Sequence, residues 1–114
     1  MSKGKYVLLA EDNDLNAEIA ITILEDMGLI VERVEDEIQC VAKMEQMLAK
    51  SYDLILMDVQ MPHMDGYKAT ETIRELSDEG KAHIPIVALI ANAFEEDRKM
   101  AISKGMNILL NQLM

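Results

Sequence analysis

YVLLAEDNDLNAEIAITILEDMGLIVERV, Tyr6–Val34, decides how this chain is built. Tyr6–Ala10 is apolar without alternation, which is how a strand buried on both faces reads. Four polar residues follow, and then Leu15, Ile19, Ile23 and Met27 recur every four positions on one face of a helix. Asn13 or Asp14 can cap the start of that helix, and Gly28 can end it. A second apolar run, Leu29–Val34, comes directly after. Strand, helix and strand joined this tightly predict a parallel pair with a right-handed crossover.

The same alternation continues outward. Further strand-like runs are Leu54–Met57, Ile86–Ile90 and Ile108–Leu110. Between them, Ile38–Lys50 carries Val41, Met44 and Leu48 on one helical face. A third helix starting near Asp65 turns Ala69, Ile73 and Leu76 inward, with Gly80 beyond its end. A fourth, Glu95–Lys104, opens on an acidic EED suited to a helix N-terminus and stops at Gly105. The ten methionines fall mostly at inward positions and read as core filler. The expectation is one α/β domain over residues 1–114, with a doubly wound, five-stranded parallel sheet in the order 2-1-3-4-5. That order puts the first helix on one face and the next three on the other. Without a fifth helix, the region over the fourth and fifth strands would be bare, so either the chain is truncated or a partner, such as a second copy in a homodimer, covers it.

Composition narrows the function classes. The chain has 114 residues, half of them hydrophobic, and 21 acidic against 11 basic side chains give a net charge of −10. Such a surface is repelled by nucleic acid phosphates and anionic membranes, so neither is expected as a ligand. With 28% charged residues but only 5 Gly and 2 Pro, wholesale disorder is not expected. The longest apolar stretch, Ile84–Ala91, has eight residues and contains Pro85, whereas a bilayer span needs about 20. The opening MSKGKYVLLAEDND offers five apolar residues where a secretory core needs about 7–15, so no targeting segment is expected and the protein reads as cytoplasmic. Cys40 is the single cysteine, which excludes an intramolecular disulfide, and its apolar helical setting predicts plain burial.

In a doubly wound sheet, ligands bind outside the carboxyl ends of the strands where the order reverses. The first strand ends in Glu11-Asp12 and the third in Asp58. Two unit charges about 4 Å apart repel by roughly 4 kcal/mol at an effective dielectric of 20, so three converging carboxylates call for a cation. An all-oxygen set of this kind suits Mg2+. Glu11 and Asp12 alone would read equally well as solvated loop acids; Asp58 at the end of a neighbouring strand favours a site.

The segments VLLAEDNDLN (Val7–Asn16), DLILMDVQMPHMDG (Asp53–Gly66) and PIVALIANAFEED (Pro85–Asp97) closely resemble the receiver domain of two-component response regulators. The likeness covers essentially the whole chain and looks nearest to receivers of hybrid sensor histidine kinases. It implies a flavodoxin-like fold and a phosphoacceptor module in a phosphorelay, not a turnover enzyme. By the resemblance, Asp58 takes a phosphoryl group from the phosphohistidine of a histidine kinase or phosphotransfer domain. Glu11, Asp12, Asp58 and the backbone carbonyl of Gln60 would hold Mg2+. Pro62, Gly66 and Ala91 would belong to the active-site loops, while His63 and His83 read as ordinary loop residues.

Several positions depart from the family pattern. The hydroxyl residue usual at the end of the fourth strand is Ile90. The lysine and cis-proline after the fifth strand are Gln112 and Leu113, the switch aromatic is Leu109, and a loop glycine is Glu37. An amide offers only neutral hydrogen bonds where an ammonium would pair with phosphoryl oxygens. Phosphorylation is therefore expected to move this chain less than an intact receiver. The alternative is a pseudo-receiver, a phosphorylation-independent interaction or dimerisation module.

Overall fold

The computed structural model of the chain describes residues 5–46, 52–58, 66–90, 99–100, 102–106 and 108–111; the side chains of 58, 89, 90 and 108–111 are not included. Its elements are β1 (Tyr6–Ala10), α1 (Asp14–Asp26), β2 (Ile30–Val34), α2 (Glu37–Gln46), β3 (Leu54–Asp58), α3 (Gly66–Arg74), α4 (Glu79–Ala82), β4 (Ile86–Ile90) and β5 (Ile108–Asn111). All strand pairings are parallel, in the order β2-β1-β3-β4-β5. The order reverses after β2, between β1 and β3, as a doubly wound sheet requires.

The unbroken apolar reading of β1 has a direct structural cause. Leu8 and Ala10 enter the larger core with Ile55, Met57, Ile73 and Ile86, whereas Val7 and Leu9 enter a second core with Ala17, Leu56 and Val87. Both faces of β1 are covered, so no position is left for a polar residue. β2, on the sheet edge, buries only Val34 and tolerates Glu32 and Arg33. Cys40 is fully buried in the larger core, and burial pushes its thiol up to about 12.

The first helix corrects the sequence reading. Leu15, Ile19, Ile23 and Met27 face solvent, at 62%, 39%, 56% and 63% exposure. The face toward the sheet carries Ala17, Ala20, Ile21 and Leu24 instead. Two apolar faces compete in this sequence, and the one with the smaller residues lies on the sheet. Asn13 caps it by accepting from the Asn16 amide at 2.9 Å, and Asp14 is held by Arg33 of β2 at 2.9 Å. Asp14 lies on the same helical stripe as Ala17, Ile21 and Leu24, so its contact with β2 agrees with that stripe facing inward.

The methionines are likewise more divided than expected. Met44, Met57 and Met106 are buried, Met27 and Met100 are exposed, and the other five lie outside the described residues. Ala69 and Ile73 point inward as anticipated, but α3 ends at Arg74, and Gly80 sits within the short helix α4 that the sequence did not suggest. Asp78 caps α4 by accepting from the Lys81 amide. Arg74 binds these pieces together, donating to the carbonyls of Gly105, Ala82 and Ile84 at 2.9, 2.8 and 2.6 Å. Gly105 ends the helical turn before β5 at φ +105°, and a Cβ there would come within 3.0 Å of Arg74 Cγ. Leu48, the start of the expected fourth helix and the expected absence of a fifth all lie outside the described residues.

Candidate functional site

Strand register sets the frame of the site. Ala10 of β1 is the partner of Met57 of β3, so Glu11 and Asp58 stand side by side one step further along. Asp58 pairs with Leu89 of β4, and Ile90 pairs with Asn111 of β5. The carboxyl ends of four strands therefore meet at one edge, beside the point where the order reverses.

Glu11 is a carboxylate at 2% exposure, an expensive placement that its surroundings must offset. Its amide donates to the Val34 carbonyl at 3.1 Å, carrying the β1–β2 ladder one residue past the strand. Its Oε2 accepts from the Asn13 amide at 3.2 Å, and its carbonyl accepts from Arg33 Nε at 3.0 Å. Asp12, half-buried, is the next residue in the same turn. The turn is thus fixed by its own backbone, by the cap of α1 and by an arginine reaching across from β2.

Gly66 opens α3 and is buried, with its carbonyl accepting from Thr70 Oγ1 at 2.8 Å. Glu37, in place of the expected loop glycine, is the first residue of α2. The turn before it closes through a reciprocal pair: Asp36 Oδ1 accepts from the Gln39 amide at 2.8 Å, and Gln39 Oε1 accepts from the Glu35 amide at 2.9 Å. An acidic first turn suits the helix dipole, so no glycine is needed. His83 is an exposed cap residue of α4, its Nδ1 2.9 Å from the Glu79 carbonyl. Among the described residues no three His, Cys, Asp or Glu side chains converge on a metal position. The Asp58 side chain, Gln60, Pro62, His63, Ala91, Gln112 and Leu113 lie outside the described residues, as do the side chains of Ile90 and Leu109.

The residues present fit a hard divalent cation. Glu11 and Asp12 supply carboxylate oxygens at one strand edge, and one of them is almost wholly withdrawn from water. Sequence reasoning missed Arg33. Its signal was legible as a single cation inside the apolar run Leu29–Val34, on the strand beside the acidic pair.

A doubly wound parallel sheet with a buried acid beside its switch point defines an α/β protein whose ligand position lies at that edge. The response regulator receiver domain model matches residues 7–112, and the chain belongs to that family. The chain is 40% identical over 112 residues to the sensor protein GacS of Pseudomonas syringae, covering 97% of this chain but 12% of that protein. It is 39% identical over 119 residues to hybrid signal transduction histidine kinase B of Dictyostelium discoideum, covering 96% of this chain and 6% of that protein. The chain therefore corresponds to a small part of these relatives. Among solved structures, the receiver domain of the sensor histidine kinase PA1611 from Pseudomonas aeruginosa superposes with a TM-score of 0.83 at 40% identity, covering 97% of this chain and 87% of that one. That crystal holds a magnesium ion coordinated in its active site cleft. The receiver domain of Ssk1 from Saccharomyces cerevisiae, crystallised with the histidine phosphotransfer protein Ypd1, matches with a TM-score of 0.83 at 25% identity, over 96% of this chain and 79% of that one. No helix among the described residues is long and apolar enough to cross a membrane.

Proposed function

We propose that this chain is a phosphoacceptor module that takes a phosphoryl group on Asp58 from the phosphohistidine of a kinase or phosphotransfer domain. The observation that carries the reading is the β1–β3 register, which sets the buried acid Glu11 beside Asp58 at the switch point. An Asp58 carboxylate oxygen attacks phosphorus, the P–N bond breaks, and the imidazole nitrogen leaves with the bond pair and takes up a proton. Glu11, Asp12, Asp58 and the Gln60 carbonyl hold Mg2+, which when bound offsets charge on the transferring oxygens. Pro62, Gly66 and Ala91 shape the loops around the acceptor.

Partner docking belongs to α1. Its outward stripe of Leu15, Ile19, Ile23 and Met27 begins next to Asp12, and the helix carries Asp14, Glu18, Glu25 and Asp26 with no basic residue. An apolar face with an acidic border suits a partner helix that is apolar with Lys and Arg at its flanks. A second copy of this chain would bring the same acidic border against itself. The solved complex of the Ssk1 receiver with a phosphotransfer protein supports the class of partner.

Intact mass after incubation with acetyl phosphate and Mg2+ tests the acceptor. The expected result is one added phosphoryl group, absent in Asp58→Asn and absent without Mg2+. An adduct that persists in Asp58→Asn would assign the acceptor elsewhere.

A further inference from the structure

We infer that Arg33 is a positioning residue for the acidic pair: its guanidinium holds the turn from β1 into α1 in the geometry that binds the divalent cation. The inference rests on the Mg2+ site proposed at Glu11 and Asp12.

Arg33 leaves the edge strand β2 on the face toward α1 and makes two contacts, one on Glu11 itself and one beyond Asp12. Nε donates to the Glu11 carbonyl at 3.0 Å, and Nη1 donates to Asp14 Oδ1 at 2.9 Å. Asp12 and Asn13 lie on the chain between these anchors, and Glu11 carries the first of them. The contact is made at a cost. A cation beside the N-terminus of α1 opposes the helix dipole. The Nη2 group is buried and finds no hydrogen-bond partner among the described residues. The Arg33 side chain is 20% exposed and that of Asp14 is 89% exposed, so the ion pair alone, half in water, is weak support. What offsets these terms is the guanidinium fork, which holds a ligand residue's backbone and the Asp14 carboxylate at the same time. Groups that orient metal ligands from behind commonly shift metal affinity by about tenfold or more.

The test is the Kd for Mg2+ alone, read from amide chemical shifts at Glu11–Asn13, in the parent, Arg33→Met, Arg33→Lys and Asp12→Asn chains. The expected result is a Kd about tenfold weaker in Arg33→Met and about threefold weaker in Arg33→Lys, which keeps the charge but loses the fork. Hydrogen exchange at the Asn13 amide should speed up in both. A purely structural Arg33 would lower thermal stability in Arg33→Met and leave Kd within twofold of the parent; that result overturns the inference, as does tighter binding. Should Arg33→Met fail to fold, Arg33→Lys decides, and a Kd equal to the parent's overturns the fork geometry. If the parent shows no saturable Mg2+ response that Asp12→Asn removes, the site reading falls and this inference falls with it.

Discussion

The carboxyl edge of the sheet has two halves that differ in chemistry. The β1–β3 half carries Glu11, Asp12 and Asp58, brought level by the pairing of Ala10 with Met57. In the β4–β5 half, Ile90 pairs with Asn111, and Gln112 and Leu113 follow. On the reading proposed above, the first half supplies oxygens for a cation and a nucleophile for phosphorus. The second offers neither a hydroxyl at position 90 nor an ammonium at position 112. On the proposed reading, taking a phosphoryl group and responding to it are separable properties, housed on different strand pairs. A ligand that makes no differential contact in two conformations cannot drive one into the other.

The largest effect is expected from breaking the acid half. Asp12→Asn removes a full charge from the cation site and should weaken Mg2+ binding by about a hundredfold. Titration of amide shifts with MgCl2 checks this, and an unchanged Kd would place the cation elsewhere.

The next test sharpens where the partner arrives, since α1 starts from the acid half. Ile19→Glu puts a charge in the exposed stripe and should slow phosphotransfer from a phosphorylated phosphotransfer domain by about tenfold. The rate with acetyl phosphate should stay the same, because Ile19 is 39% exposed and holds no part of the cation site. Equal slowing with both donors would mean that the helix itself was damaged.

A smaller gain is expected from repairing the other half. Ile90→Thr combined with Gln112→Lys supplies the missing hydroxyl and cation. Phosphorylation should then move amides of residues 91–94 at least twofold further than in the parent. No difference between the two chains would argue that the halves are not separable in this way.

The smallest effect lies on the outer strand of the acid half. Glu32 of β2 accepts from Tyr52 Oη at 2.8 Å and pairs with Lys43 Nζ at 2.6 Å. The bonds from Lys43 and Tyr52 hold its carboxyl below the usual range. A carboxyl lowered on folding contributes stability that is present above its unfolded value, near pH 4.3, and is lost as pH falls through the folded value. Both partners are 41% exposed, so the contribution is about 0.5 kcal/mol after solvent screening. Urea midpoints at pH 7 and pH 3 should differ less in Lys43→Met than in the parent; an equal difference would remove Glu32 from the account.

Much of this was legible in the sequence. β1 reads correctly because both its faces are buried, so hydrophobicity alone marks it; Asn13 opens α1 through its side-chain acceptor, and Gly105 ends a helical turn at positive φ. The face of α1 was not legible. The stripe through Leu15 and Ile19 outweighs Ala17 and Ala20 in hydrophobicity, yet Ala17, Ala20, Ile21 and Leu24 meet the sheet, on the side where Asp14 reaches Arg33. That contact joins residues 19 positions apart, and periodicity within a helix does not register it. Arg33 stands out in the run Leu29–Val34, but the groups it reaches do not. The strand order puts β2 beside β1, but the contacts with the Glu11 carbonyl and Asp14 depend on how the turn after β1 is folded.

The most direct measurement of the acceptor site is an amide-shift titration of the parent chain with beryllofluoride, a mimic of a carboxylate-bound phosphoryl group, with and without Mg2+. The account predicts saturable, Mg2+-dependent shifts at Glu11–Asn13 and at Asp58, with small changes at residues 91–94. No saturable shift at Asp58 in the presence of Mg2+ would contradict it.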